Sequence, residues 1–184
     1  MKMKLPEEPM TKVFVCSPFR PISKEPERAE EEKQNNIKLA QSACRLVTEL
    51  GMVPVAPHLF FPQFMDDNNP DEREKGMIFG RELLCGCDEL WVFGERISEG
   101  MQAEIRQAKE SDITVRYCDA PLDAYAKLIE IFERFRLRNL KYEDNRSYSF
   151  AQKVGDYVGI RPMDISFVLF ISEWISGEEV RHES

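Results

Sequence analysis

Up to residue 118, short apolar runs rich in β-branched and aromatic residues alternate with longer stretches whose apolar positions recur every three or four residues. The first run, Lys12-Val-Phe-Val-Cys16, stops at Ser17-Pro18, which predicts a buried strand emptying into a loop. A long helix is expected from Pro26 to Leu50-Gly51, with Ile37, Ala40, Cys44 and Val47 facing inward and Gly51 suited to the C-cap. The acidic residues ahead of Ile37 read as its solvated first turns. Met52 to Ala56 is the second strand, and it opens into an unusually apolar loop, Pro57-His-Leu-Phe-Phe-Pro62. Asn69-Pro70 starts a second helix through Leu84, ending near Gly86. Glu89 to Phe93 is the third strand, stopped by Gly94, followed by a helix from about Gly100 to Ser111 and a fourth strand over Thr114 to Tyr117.

Strands that alternate with helices through short connections build a parallel sheet with right-handed crossovers. The expected fold is therefore α/β, a doubly wound (Rossmann/flavodoxin-like) parallel sheet of about four to five strands occupying residues 1–120. Such sheets bind ligands beyond the carboxyl ends of the strands, where strand order switches. That rule marks Ser17–Arg20, Pro57–Phe64, Gly94–Gly100 and the segment after Tyr117. From Pro121 the pattern changes. Tyr125, Leu128, Ile129, Phe132 and Phe135 share a helical face, a basic stretch from Arg134 to Arg146 follows, and Phe150–Val158 and Ile165–Ile175 are apolar. Residues 121–184 are expected to form an α-helical C-terminal appendage that packs on the sheet or on another subunit. A helix-turn-helix over Ser149–Ile171 fits only generically.

Composition narrows the class. The 184 residues are 42% hydrophobic, enough for one domain core, and the formal net charge of −8 argues against a nucleic-acid binder with a basic surface. No apolar run reaches membrane-spanning length, and Met1–Met10 carries charge and proline where a secretory leader would be apolar. Five cysteines, most of them in apolar stretches, suit a reducing cytoplasm. Cys85-Gly-Cys87 lacks the second pair and the histidine spacing that a zinc site needs, since only His58 and His182 are present.

Two segments could carry chemistry. On the helix after strand three, Met101, Ile105 and Ala108 form an inward stripe, and Glu104 lies three residues from the first and four from the last. One reading is a carboxylate held against an apolar face at the ligand edge; the other is a solvated Glu favoured by the helix dipole. Ser17-Pro-Phe-Arg20 supplies a hydroxyl, free backbone N–H groups and a guanidinium, either an anion cradle or a solvated turn. Neither GxGxxG nor a Walker motif is present.

Together, the Ser17-x-x-Arg20 loop, the long helix, Cys87-Asp-Glu-Leu-Trp-Val-Phe93 and Ser98-x-Gly-Met-x-x-Glu104 resemble the nucleoside 2-deoxyribosyltransferase-like superfamily. The spacing is nearest to its 2'-deoxynucleoside 5'-monophosphate N-glycosidase branch and to related uncharacterised domains. The resemblance implies that Glu104 attacks the anomeric carbon and displaces the base, and that water or a second base resolves the glycosyl-enzyme, as in a retaining glycosidase. It implies that Ser17, Arg20 and Ser98 hold the 5'-phosphate, within a substrate-binding set that includes Phe19, His58, Gly100 and Met101. It implies no metal and no cofactor, a small nucleoside or nucleotide as partner, and a homodimer or higher homo-oligomer.

One position departs from the pattern. The family has an aspartate eight residues before the one that opens strand three; here that count from Asp88 reaches Gly80. Arg81, Glu82, Asp66 or Asp67 could stand in, and otherwise the site binds without turnover. Asp88 is expected to secure the helix-to-strand turn. His58 could protonate the leaving base or, as the favoured role, hydrogen-bond its loop; Met77 and Phe79 read as core or subunit contact. The leading expectation is an N-glycosidase or deoxyribosyltransferase. The alternatives are a non-catalytic nucleotide-binding or sensing protein, and an interaction protein acting through the helical tail.

Overall fold

A computed structural model of the chain describes residues 9–118. The helical appendage expected over 121–184 lies outside the described residues. Four strands, β1 (Lys12–Cys16), β2 (Val53–Val55), β3 (Glu89–Phe93) and β4 (Thr114–Cys118), form one parallel sheet in the order β2-β1-β3-β4. Helices α1 (Pro26–Glu49), α2 (Pro57–Phe60), α3 (Pro70–Cys85) and α4 (Glu99–Glu110) connect them, with a 3-10 turn over Phe61–Gln63. Chain order and sheet order diverge at β1, whose neighbours are β2 and β3. The switch point therefore lies between the carboxyl ends of β1 and β3, which is where a doubly wound sheet opens a crevice.

The central strands are apolar throughout because both faces of the sheet are covered. Phe14, Cys16, Leu90 and Val92 point to one side and pack with Leu84 of α3 and with Met101, Ile105 and Ala108 of α4. Val13, Val15, Trp91 and Phe93 fall on the alternate face and are fully buried, on the side where α1 lies against β1 and β3. From α1, Ala40, Ala43, Leu46 and Val47 are buried, while Ile37 and Cys44 are only half-buried. The inward stripe is thus rotated slightly from the one the sequence suggests.

Punctuation residues fix the element ends. Gly51 takes φ 74° after α1, and Asn69 caps α3 by accepting from the Asp71 N–H at 3.0 Å. Gly94 ends β3 at φ 97°, where an added Cβ would stand 3.1 Å from Pro18, so a side chain is excluded by both conformation and space. That contact draws the exits of β1 and β3 together. At the opposite end, Asp88 Oδ2 accepts from the Lys12 N–H at 2.7 Å, a structural role that ties the start of β3 to β1 where a cap on the helix-to-strand turn was expected. The segment after β2 differs from expectation: in place of a loop, Pro57 opens the short helix α2 and the 3-10 turn follows directly. No helix among the described residues is long and apolar enough to cross a membrane.

Candidate active site

A cavity of about 520 Å³ opens at the switch point. Its floor is the exit of β1: Ser17 is 5% exposed and its Oγ lies 2.9 Å from His58 Nε2, on the last turn of α2. The loop beyond is pinned from two sides. Asn36 of α1 donates to the carbonyls of Phe19 and Arg20, and Glu32 accepts from the N–H groups of Ile22 and Ser23, contacts that hold its carboxyl below the usual range. Phe19 stacks edge-on to His58 at 6.2 Å.

The other wall is α4. Ser98 is its N-cap, with Oγ accepting from the Met101 N–H at 3.4 Å. This occupies a lone pair and leaves the hydroxyl proton free to donate into the cavity. Gly100 adds openness: a Cβ there would meet nothing nearer than Ser98 Oγ at 3.9 Å. Met101 is buried against the sheet, and Cys16 Sγ approaches its carbonyl at 4.0 Å.

One turn further along, Glu104 lines the same cavity. Burial pushes its carboxyl up to about 7, only partly offset by the hydrogen bond from the Cys16 thiol, and burial beside that carboxylate pushes the thiol well above its ordinary range. Among the described residues Glu104 has no ion pair. Of the two roles the spacing allowed, the structure places Glu104 half-buried at the cavity wall, between the fully solvated and the fully buried extremes. His58 is pushed down to about 4 by burial and is neutral near pH 7. Its hydrogen bond runs to Ser17, at the exit of β1.

Every candidate residue thus borders one space: Glu104, Ser17, Phe19 and Arg20, together with His58, Ser98, Gly100 and Met101. The fourth expected loop, after Tyr117, lies outside the described residues. Cavity members that went unrecognised in the sequence include Arg73 and Gly76. Arg73, Gly76 and Met77 face the cavity from α3, alongside Gly80 and Arg81. Met77 is exposed at this wall, so of its two readings, core or subunit contact, the core one does not hold. The helical spacing Arg73-x-x-Gly76-Met77-x-x-Gly80 was the available signal, because paired glycines inside a helix weaken it and mark a face that packs nothing large.

Gly80 leaves no side chain at the aspartate position; besides Glu104, the acidic residues bordering the cavity are Asp67, Glu72 and Glu99, and Glu82 is exposed away from it. Asp67 borders the cavity but is bound by Arg20 and Arg73, Asp66 turns away to accept from Asn68, and Arg81 hydrogen-bonds the Met77 carbonyl. Of the cysteines in Cys85-Gly-Cys87, one is exposed and the other buried, and no group of three metal-ligating side chains exists among the described residues.

Fold and site define a doubly wound α/β domain whose switch-point cavity holds, among hydroxyl and guanidinium donors, a carboxylate that has no ion pair among the described residues. The chain belongs to the family described as Domain of unknown function (DUF7768), whose model matches residues 11–118. That match spans the whole sheet and every wall of the cavity. No curated protein and no solved structure matches the chain.

Proposed function

We propose that the protein is an N-glycosidase or deoxyribosyltransferase that cleaves the glycosidic bond of a nucleoside or its 5'-monophosphate, with Glu104 as nucleophile. One observation carries this: Glu104, without an ion pair among the described residues, stands half-buried in a cavity whose donors include Ser17, Ser98 and Arg20, which suit a phosphate. The volume lies within the roughly 300–1,000 Å³ of small-molecule sites.

In this reading Glu104 Oε attacks the anomeric carbon as the C–N bond to the base lengthens and the ring oxygen takes up positive charge. The desolvated carboxylate interacts with that charge more strongly than a hydrated one would. The base leaves with the bonding pair, and water or a second base then attacks the same carbon to release Glu104. Phe19 and Phe61 provide aromatic faces for a heterocycle.

The test is release of free base from a panel of deoxynucleosides and their monophosphates. Base should appear with wild type and fall by at least about a hundredfold in Glu104→Gln. Release from no substrate, or unchanged release by the variant, rejects the assignment. A second reading, a nucleotide-binding protein without turnover, is favoured by Gly80: at the aspartate position the helix presents only backbone, 3.9 Å from Pro57 for an added Cβ. Calorimetric binding with no base release would select it. A homodimer fits the exposed aromatic rings of Phe60, Phe64 and Phe79 beside the cavity, and light scattering would show its mass.

A further inference from the structure

Arg20, assigned to a substrate phosphate, already holds an anion. Its Nε and Nη2 donate to the carboxylate and the carbonyl oxygen of Asp67. Arg73, in the first turn of α3, places Nη1 3.1 Å from both carboxylate oxygens of the same residue. The three come from separate pieces of chain: the loop after β1, the connector before α3, and α3 itself. All three border the cavity that contains Glu104.

A carboxylate gripped by two guanidiniums occupies the position, charge and planar donor geometry that a phosphate oxygen pair would take. The grip is exposed: the side chains of Arg20, Asp67 and Arg73 are 46%, 31% and 32% accessible. Ion pairs in that setting contribute little to stability and exchange readily with solvent anions. Asp67 also has somewhere to go. A second cavity of about 340 Å³ borders Arg20 and Asp67 and brings in Lys33, a cation able to receive a displaced carboxylate.

We propose that Asp67 is an internal anion held by Arg20 and Arg73 in the place of a substrate phosphate, and that a phosphomonoester exchanges with it. Arg73 is then a specificity residue that favours phosphorylated over unphosphorylated ligands. The proposal rests on the nucleotide reading of the cavity, though not on turnover.

The test is calorimetry on the full chain carrying Glu104→Gln, with 2'-deoxyadenosine 5'-monophosphate, 2'-deoxyadenosine and inorganic phosphate as probes. Removing the competitor with Asp67→Asn should raise the monophosphate-to-nucleoside affinity ratio about fivefold or more and tighten inorganic phosphate likewise. Arg73→Gln should lower the ratio about tenfold, with Arg73→Lys between, since Lys keeps the charge and loses the fork. Asp71→Asn, which borders neither cavity, should leave the ratio unmoved. The proposal is overturned if Asp67→Asn weakens phosphate binding, which would make Asp67 a mere brace for the guanidiniums, or if the Arg73 variants leave the ratio unchanged. Thermal melts identify any misfolded variant, and Asp67→Asn and Arg73→Lys decide the matter without Arg73→Gln. Absence of base release by wild type, with this pattern intact, removes the glycosidase and keeps the exchange; base release with a flat pattern removes the exchange alone.

Discussion

At the scale of single residues, Glu104 carries the most consequence. Helical spacing placed it at the border of the buried stripe and stopped there, because spacing does not report how far water reaches. Burial in the folded chain supplies the answer and raises its carboxyl to about 7. A nucleophile must be ionised, so kcat/KM for base release should climb about tenfold per pH unit below 7 and level off above it. A pH profile already flat from 5 to 8 would mean that another group limits the reaction. Gly80 yields a separate expectation. An added Cβ meets only ordinary contact with Pro57, and glycine costs a helix interior about 0.5–1 kcal/mol relative to alanine. Gly80→Ala should therefore stabilise the protein by up to that amount in urea unfolding. A loss would show that the wall at Pro57 cannot accommodate even a methyl group.

Elements were legible where the chain punctuates itself. Gly51, Asn69 and Gly94 each stop or start an element by a local backbone requirement, and continuous apolar runs between them leave little choice but buried strands. Pro57–Gln63 was not legible as helix, since one short turn gives no period to detect and its apolar residues look like a loop lid. The joint grip of Arg20 and Arg73 on Asp67 was missed for a different reason: it joins positions far apart in sequence, and no local pattern encodes it. Ser98 shows two roles meeting at one element end. As the N-cap of α4 it stabilises the helix, and as a cavity hydroxyl it is offered to an anion. Two substitutions separate them. Ser98→Ala should cost about 0.5–1 kcal/mol of stability. Ser98→Asp should keep the cap and the favourable helix dipole, yet abolish monophosphate binding by placing a second negative charge beside the phosphate. Equal binding losses in the two variants would argue that the hydroxyl contact, not charge, governs the ligand.

For the molecule as a whole, the cavity sets two opposing dependences of stability on pH. Glu104 is raised from 4.5 to about 7 in the folded state, so the folded chain binds the extra proton and its stabilising effect fades as pH rises through that window. His58 is lowered from 6.5 to about 4, so the unfolded chain binds the extra proton and stability fades as pH falls through its window. Between about 4.5 and 6.5 the two slopes have equal size and opposite sign, and they cancel. Glu32, lowered by its loop hydrogen bonds, acts chiefly below that range. Single variants should uncover what the pair conceals. Relative to wild type, Glu104→Gln should gain stability steadily as pH rises from 4.5 to 7, approaching at most about 3 kcal/mol. His58→Asn should show the reverse, its difference from wild type growing as pH falls from 6.5 to 4, and the double variant should restore a flat difference across the overlap. Urea denaturation at half-unit pH steps measures all three. Flat differences in both single variants would mean that the cavity is hydrated in solution. The desolvation of Glu104 on which the nucleophile depends would then be absent, whereas the exposed Arg20–Asp67–Arg73 grip would be untouched.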